Sequence, residues 1–260
     1  MFVELISWGT MKQLIAIGGA AAFAFMLGFT SASAATLVSQ FTFDTDLSDS
    51  QSESSASGPG KVSGGSYNFS ENEGLNVLLN SGLSEFSVLF EVKLDQINSN
   101  RKLLDVSNLG SDNGLYNYNG DLLYYNTGPG SGTIVEGQNA FVALTFDGST
   151  TSGYLDGALA FSFTSASFSG PGYLSTLTSF TMVEDDTATS KHEASAGSLD
   201  FMEVYDGVLS ANESAAYAGP TSSDPGRPEP DPNVSPLPAS GLLLVAAIGG
   251  VALARRKQLR

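Results

Sequence analysis

Between residues 36 and 219, short apolar runs recur between clusters of Gly, Asn, Asp and Ser, and this spacing constrains the fold more than any other feature of the chain. In the run Phe86 to Val92, the apolar residues Phe86, Val88 and Phe90 fall on one face at a period of two. The run Ala140 to Phe146 is apolar on both faces, as in a central strand between two packed layers. The pattern predicts an all-β, antiparallel β-sandwich.

About a dozen such runs predict strands. Besides the two runs above, they are Leu37 to Phe43, Tyr67 to Phe69, Leu75 to Leu79, Lys102 to Val106, Leu115 to Tyr118, Leu122 to Tyr125, Ser152 to Leu155, Ala158 to Phe163, Ser179 to Val183 and Leu199 to Tyr205. One helix is also predicted, because Ser210 and Glu213 have the spacing of a capping box and Gly219 can end the helix.

The charge of the chain excludes one class of function. Residues 36 to 238 contain six basic and 26 acidic residues, whereas a nucleic-acid-binding protein needs an excess of positive charge to meet phosphates. The chain has no cysteine, which excludes disulfides, thiolate zinc sites and cysteine nucleophiles. We therefore expect no nucleic-acid partner.

The first 34 residues are interpreted as a secretion signal. Met11 and Lys12 form a short positive start, and the segment from Leu14 to Phe29 is apolar. The triplet Ala32-Ser33-Ala34 has the small-x-small pattern after which signal peptidase cuts, so the mature chain is predicted to begin at Ala35. Met11 is the preferred initiator because Glu4 precedes it where a positive charge is expected. The alternative to a cleaved signal is an uncleaved anchor helix.

The other end of the chain predicts a spacer followed by a membrane helix. The linker over residues 221–234 is rich in Pro, Ser and Asp, and proline cannot continue a helix or a strand ladder. Residues from Leu237 to Ala254 are apolar apart from Ser240, and 18 helical residues span about 27 Å. We predict a single transmembrane helix over 239–254, whose following Arg255, Arg256 and Lys257 remain in the cytoplasm.

The order of these C-terminal features resembles a known sorting signal. Ser235-Pro236-Leu237-Pro238-Ala239, the apolar run, and the basic cluster beginning at Arg255 and Arg256 look like the VPLPA variant of the PEP-CTERM signal over residues 235–260, with Ser235 where that family usually has valine. The resemblance implies recognition by an exosortase, a membrane cysteine transpeptidase of Gram-negative bacteria. It also implies an exported protein that is transiently anchored in the inner membrane and then delivered to the cell surface or the extracellular space.

The strand pattern resembles a second family over residues 35–220. Phe41 to Asp44 is similar to the opening strand of the LamG-like or concanavalin A-like jelly roll, and the two segments Ala143 to Gly148 and Gly153 to Gly157 look like its hairpin. Leu199 to Tyr205, with Ser210 and Glu213, resembles its closing strand and helix. The resemblance implies a lectin-like jelly-roll domain, although the family's usual tryptophans are absent because the only tryptophan is Trp8.

No catalytic residue is predicted. Glycosidases use two carboxylates that flank the scissile bond, and the Glu-x-Asp-x-x-Glu pattern of the family's enzymes does not occur here. The consecutive acids Glu184, Asp185 and Asp186 are interpreted as a solvated acidic turn. His192 has no sequence partner for a triad or a metal pair and is interpreted as a surface residue.

Calcium is the predicted cofactor, in a structural role. Hard cations take six to eight oxygen ligands, which acidic loops supply. The LamG-like resemblance implies a calcium ion between the opening loop and the closing strand, held by Asp44, Asp49 and Asp200, with Asp46 and Asp206 as further candidates. The alternative is that Asp44 and Asp49 cap turns through their side chains.

A tyrosine-rich stretch is the predicted ligand-binding site. Tyr116, Tyr118 and Tyr124 lie among asparagines, and alternation sets Tyr116 and Tyr118 on the same side of a strand. Aromatic platforms beside amides are suited to sugars, but tyrosines also serve as ordinary cross-strand partners.

These observations predict an exported, non-catalytic surface or extracellular-matrix protein that binds polysaccharide. Signal peptidase and an exosortase are its predicted processing partners. Two alternatives stay open, namely a divergent glycan-acting hydrolase or lyase on the same fold and a structural surface protein without a ligand.

Overall fold

The computed structural model describes residues 34–125, 127–164, 174–187 and 190–218. Residues 1–33 of the predicted signal peptide, the linker, the sorting signal and Gly219 lie outside these ranges. In the described part, no helix is long and apolar enough to cross a membrane.

The described residues form two antiparallel sheets and one short helix. The elements are β1 (Thr36–Phe41), β2 (Ser54–Ser57), β3 (Lys61–Ser63), β4 (Ser66–Phe69), β5 (Leu75–Leu83), β6 (Phe86–Leu94), β7 (Asn100–Asp105), β8 (Leu115–Tyr118), β9 (Asp121–Tyr124), β10 (Asn139–Phe146), β11 (Thr150–Leu155), β12 (Ala158–Thr164), β13 (Leu177–Met182), β14 (Gly197–Asp206) and α1 (Ala211–Tyr217). The prediction of an antiparallel β-sandwich is confirmed.

The larger sheet has eight strands in the order β12-β11-β10-β6-β14-β4-β3, with β1 also paired to β14. One edge of β14 is shared by two strands, because β4 pairs with residues from Gly197 to Leu199 and β1 pairs with residues from Met202 to Asp206. The opposite edge of β14 pairs with β6 along almost its whole length. The closing strand therefore ties the start of the domain to its centre.

The smaller sheet has six strands in the order β2-β5-β13-β7-β8-β9. The inward side chains of both sheets form one continuous apolar core, which includes Phe41, Phe86, Phe90, Leu104 and Phe180. Alternation explains how β6 can be buried on both faces: Val88 and Phe90 enter this core, whereas Leu89 points to the other face of the large sheet.

A second, smaller core covers the outer face of the large sheet. It contains Leu89, Phe141, Ala143, Tyr205 and Leu209. Helix α1 closes it, since Tyr217 packs against this cluster and its hydroxyl shares a hydrogen bond with that of Tyr205. The predicted capping box is present: Glu213 N donates to Ser210 Oγ at 3.3 Å, and Ser210 N donates to Glu213 Oε2 at 2.7 Å.

Two strands were missed by the sequence pattern. β2 has the sequence Ser-Ser-Ala-Ser and β3 has the sequence Lys-Val-Ser, so neither shows an apolar alternation. Each is an edge strand that pairs with one neighbour and is half exposed. It therefore lacks the alternating apolar residues by which a buried central strand is recognised in a sequence.

Candidate functional site

The outer face of the small sheet, at β7 and β8, carries a cluster of buried polar and charged residues. Lys102 pairs with Tyr116, and Asn100 pairs with Tyr118. Because Leu115 lies in the main core, alternation turns Tyr116 and Tyr118 to the outer face. The sequence prediction that these two tyrosines share one side therefore agrees with the register.

Two loops cover this face. One follows β7 and the other connects β13 to β14. The second loop is fixed to β7 by backbone hydrogen bonds from Lys102 N to Glu193 O at 2.7 Å and from Val183 N to Leu103 O at 3.0 Å. It is also joined to the first loop, since Thr187 N donates to Leu109 O at 3.3 Å. Polar groups that would otherwise face solvent are buried beneath these loops.

A lysine is fully buried under the loops. Lys102 Nζ donates to Asp105 Oδ2 at 3.1 Å, to Ser111 O at 3.2 Å and to Asp186 Oδ2, and the three ionised side chains have no exposed surface. The Nζ atom also lies 5.2 Å from the centre of the Tyr116 ring. A charge this deep is tolerated only when it is paired and hydrogen-bonded, and all its partners are provided here.

The acidic turn predicted to be solvated is largely buried. Asp185 and Asp186 have no exposed surface, and only Glu184 forms an exposed ion pair, with Lys191 at 2.8 Å. The interpretation was wrong because the turn folds back on the sheet to meet Lys102, a long-range contact that local composition does not encode. A lysine inside the apolar strand run Lys102 to Val106 was the available signal, since a buried ammonium requires acidic partners. His192 is exposed, as predicted.

Beside Lys102, three further carboxylates converge. Oxygen atoms of Asp112, Asp185 and Glu193 lie within 4.8 Å of one another. Asp112 Oδ1 accepts from Tyr116 Oη at 3.2 Å, Asp185 Oδ2 accepts from Glu193 N at 2.9 Å, and Glu193 Oε1 accepts from Asn100 Nδ2 at 2.9 Å. Three carboxylates supply only part of the six to eight oxygens that calcium takes.

The electrostatics of this face follow from burial and negative charge. Burial raises the pKa of the Glu193 carboxyl, the hydrogen bond from Asn100 opposes this change, and the charges of Asp112 and Asp185 add to it. Because the folded state favours the protonated form of Glu193, its contribution to stability is present at low pH and is lost as the pH rises through the raised pKa. Burial, followed by the charge of Asp112, also raises the pKa of Tyr116.

The three residues predicted to bind calcium do not form such a group among the described residues. Asp44 is exposed, whereas Asp49 organises the opening loop. Asp49 Oδ1 accepts from Gln40 N at 2.8 Å and Gln51 N at 3.0 Å, and Asp49 Oδ2 accepts from Glu53 N and Ser54 N, each at 2.9 Å. The bond from Gln51 is an Asx turn, the alternative considered for this residue.

Asp200 is held by side chains of neighbouring strands. Its carboxylate accepts from Ser66 Oγ at 2.7 Å and from Asn139 Nδ2 at 2.6 Å. Its role in the described structure is to link β4, β14 and β10.

The predicted ligand-binding tyrosines are separated by burial. Tyr116 and Tyr124 have no exposed surface, whereas Tyr118 is 45% exposed. Tyr124 faces inward and packs against Phe161 and Phe163, and Tyr116 lies beneath the loops that carry Asp112 and Glu193. Because a buried ring cannot stack on a sugar, Tyr116 and Tyr124 are corrected to packing roles, and ligand binding by Tyr118 stays a prediction.

Tyr118 stands among polar neighbours. Asn100 lies opposite it in β7, and Asp121, which is exposed, lies opposite it in β9. Asn119, next in the chain, is also exposed. An aromatic ring flanked by amide and carboxylate groups on an open face can stack on a sugar and hydrogen-bond to its hydroxyls.

A groove of about 310 Å³ opens elsewhere, between β1, the segment that precedes β2, and β5. Its lining includes Leu37, Gln51, Glu53 and Leu79. None of the residues predicted to bind metal or ligand lines this groove.

The two packed antiparallel sheets place the protein in the class of all-β sandwiches. Residues 63–214 match the family model described as the concanavalin A-like lectin/glucanases superfamily, and the chain belongs to this family. No curated protein sequence matches the chain.

Solved structures share this fold at low sequence identity. Domain 4 of AbnA, a GH43 extracellular arabinanase from Geobacillus stearothermophilus in complex with arabinotriose, is 19% identical with a TM-score of 0.50, and the match covers 72% of this chain and 100% of that domain. The ligand-binding domain of botulinum neurotoxin serotype D, in complex with N-acetylneuraminic acid, is 14% identical with a TM-score of 0.51, and the match covers 70% of this chain and 50% of that domain. At these identities the likeness shows the fold.

Proposed function

We propose that this protein is an exported, non-catalytic carbohydrate-binding protein of the cell surface or the extracellular matrix, and that the sugar contacts the outer face of the small sheet around Tyr118. The observation that carries the proposal is the exposure of Tyr118 between Asn100 and Asp121, in a domain that belongs to a lectin-like family. Two similar solved domains, from the arabinanase and the toxin, are described in complex with sugars.

The geometry of the carboxylates favours binding over catalysis. Glycoside hydrolysis needs two carboxyl groups that both reach the scissile bond. In the acidic cluster, Asp112 is bonded to Tyr116, Asp185 to the backbone of Glu193, and Glu193 to Asn100. These groups hold the covering loops in place, which suits a rigid binding surface better than an acid–base pair.

The first prediction concerns Tyr118. We expect Tyr118→Ala to lower the affinity for a bound glycan about tenfold or more, because an exposed aromatic ring at the centre of a contact surface supplies most of the stacking energy. The measurement is a glycan array that includes arabinotriose and N-acetylneuraminic acid, followed by calorimetry on the strongest ligand.

Leu159→Ala is the matched control. Leu159 is 56% exposed on β12 of the other sheet, so the variant also removes one large exposed apolar side chain, and its affinity should be unchanged. An array on which the wild-type chain binds nothing would favour a ligand-free surface protein. Release of reducing ends from a bound glycan would favour a hydrolase.

Export and sorting complete the proposal. The N-terminal signal directs the chain across the inner membrane, and signal peptidase removes it after Ala34. The C-terminal segment with Pro236, Leu237, Pro238 and Ala239 then holds the chain in the membrane until an exosortase removes it. The six basic and 26 acidic residues of 36–238 leave the released domain with a net charge of 6 − 26 = −20, which keeps it soluble and hydrated.

The second prediction concerns the mature C-terminus. Mass spectrometry of the protein purified from its source cells should find a chain that begins at Ala35 and ends before Arg255. A secreted form that still contains Arg260 would contradict exosortase sorting, and this result would leave the glycan-binding proposal unaffected. The structural calcium ion, for its part, stays a prediction.

A further inference from the structure

The buried ion pair between β7 and the loop after β13 brings together an amine and a carboxylate, the two groups from which an amide cross-link forms. Lys102 Nζ contacts the carboxylates of Asp105 and Asp186, and none of the three side chains is exposed. Lys102 and Asp186 are 84 residues apart in the sequence. We propose that Lys102 and Asp186 condense to form an intramolecular amide bond, with Asp105 as the proton carrier.

The reacting groups are held in place from both sides. Lys102 is fixed by the β7 ladder and by its backbone bond to Glu193 O at 2.7 Å. Asp186 is fixed because its N donates to Asp185 Oδ1 at 2.9 Å and its O accepts from Lys191 N at 3.2 Å. Fixing both groups supplies the proximity that an intramolecular reaction needs.

Asp105 is positioned to carry a proton. Asp105 Oδ1 accepts from the amides of Ser107 and Leu109, each at 2.8 Å, and Oδ2 accepts from Lys102 Nζ at 3.1 Å and from Ser107 Oγ at 3.3 Å. In contact with Nζ, Oδ2 can take a proton from the attacking nitrogen and return it to the oxygen that leaves.

The reaction balances without another reactant. One ammonium proton passes to the Asp186 carboxylate, and the free amine attacks Cγ. Asp105 then takes a second proton from nitrogen and gives it to the hydroxyl, which departs as water. The Nζ–Cγ bond forms, one Cγ–O bond breaks, one proton stays on the amide nitrogen, and no atom changes oxidation state.

The surroundings favour the amide over the ion pair. Burying opposite charges carries a large desolvation cost, and condensation removes the charges of Lys102 and Asp186 and releases water to the solvent. The Asp105 carboxylate, which loses its cation, keeps the hydrogen bonds from the amides of Ser107 and Leu109. The Tyr116 ring, 5.2 Å from Nζ, shields the site from solvent. The chain has no cysteine, so an amide is a covalent link that it can form between distant segments where a disulfide is excluded.

The sequence makes the test direct. Neither Lys nor Arg lies between Lys102 and Lys191, so trypsin should release residues 103–191 as one peptide from an unlinked chain. An amide at Nζ blocks cleavage after Lys102, and the product becomes residues 102–191, lighter by one water. Cleavage after Glu136 and Glu184 should then leave 102–136 joined to 185–191.

The full-length protein is folded, then denatured and digested for mass spectrometry. We expect the wild type to give the joined fragments. The control Glu184→Gln should stay linked, because Glu184 contacts only the exposed Lys191 in the ion-pair network, and since it lacks the cleavage site at 184 it should give 102–136 joined to 137–191. Asp105→Asn should give the unlinked peptides, and a link in this variant would overturn the role of Asp105. A wild-type chain of full mass that releases the 103–191 peptide would overturn the proposal, whatever the variants show.

Discussion

Replacement of Lys102 by methionine is expected to lower the free energy of unfolding by about 3 to 5 kcal/mol, the usual cost of breaking a buried ion pair. Methionine fills a similar volume but donates no hydrogen bond. The carboxylates of Asp105 and Asp186 would then be buried without their counter-charge, and Ser111 O would lose its donor. A wild-type amide bond would add to this loss.

Lys191→Met is the matched control for this prediction. The Lys191 side chain is 43% exposed and pairs with Glu184, which is the setting of a surface ion pair, worth about 0 to 1 kcal/mol. Urea unfolding followed by far-ultraviolet circular dichroism and tyrosine fluorescence compares the two variants. Equal losses in the two variants would show that Lys102 is not a structural ion in solution.

The strands were predictable from the sequence because their burial is periodic. Apolar residues recur at Phe86, Val88 and Phe90 because one face of β6 enters the core, and this local pattern was enough to predict the strand. Ser54–Ser57 carries no such signal, since its place in β2 depends on pairing with β5. The cap at Ser210 was predictable for a related reason, because its partner Glu213 is three residues away.

The site was predictable only in part, because burial on the outer face depends on loops. Tyr116 and Tyr118 share a face by alternation, yet the first is covered and the second is open. Nothing local to either tyrosine distinguishes them; the covering loops do, and they are held by contacts such as that of Lys102 with Asp186. A contact between residues that are 84 positions apart depends on the tertiary fold, so the local sequence pattern does not predict it.

A second large effect is expected from Gly197→Ala. Gly197 begins β14 and pairs with Phe69 of β4 on one side and Leu94 of β6 on the other. A Cβ atom there would lie 1.9 Å from the backbone oxygen of Lys93 and 3.1 Å from the Phe69 ring. Overpacking against movable side chains costs about 1 to 3 kcal/mol, and here the obstacle is main chain, so we expect a loss of about 3 kcal/mol or more.

Gly64→Ala separates this clash from backbone preference. Gly64 has a φ of 66° and nothing within 4 Å of an added Cβ. The Gly64→Ala variant should therefore lose only about 1 to 2 kcal/mol of unfolding free energy, the cost of an alanine in the left-handed conformation. Urea unfolding of both variants measures the difference.

Because Ala196 O accepts from Asp95 N at 2.9 Å just before β14, a displaced Gly197 should also loosen the loop that carries Glu193. A Gly197→Ala variant as stable as Gly64→Ala would show that the β4, β14 and β6 strands do not meet this closely, and the position of the loop over Tyr116 would then need another support.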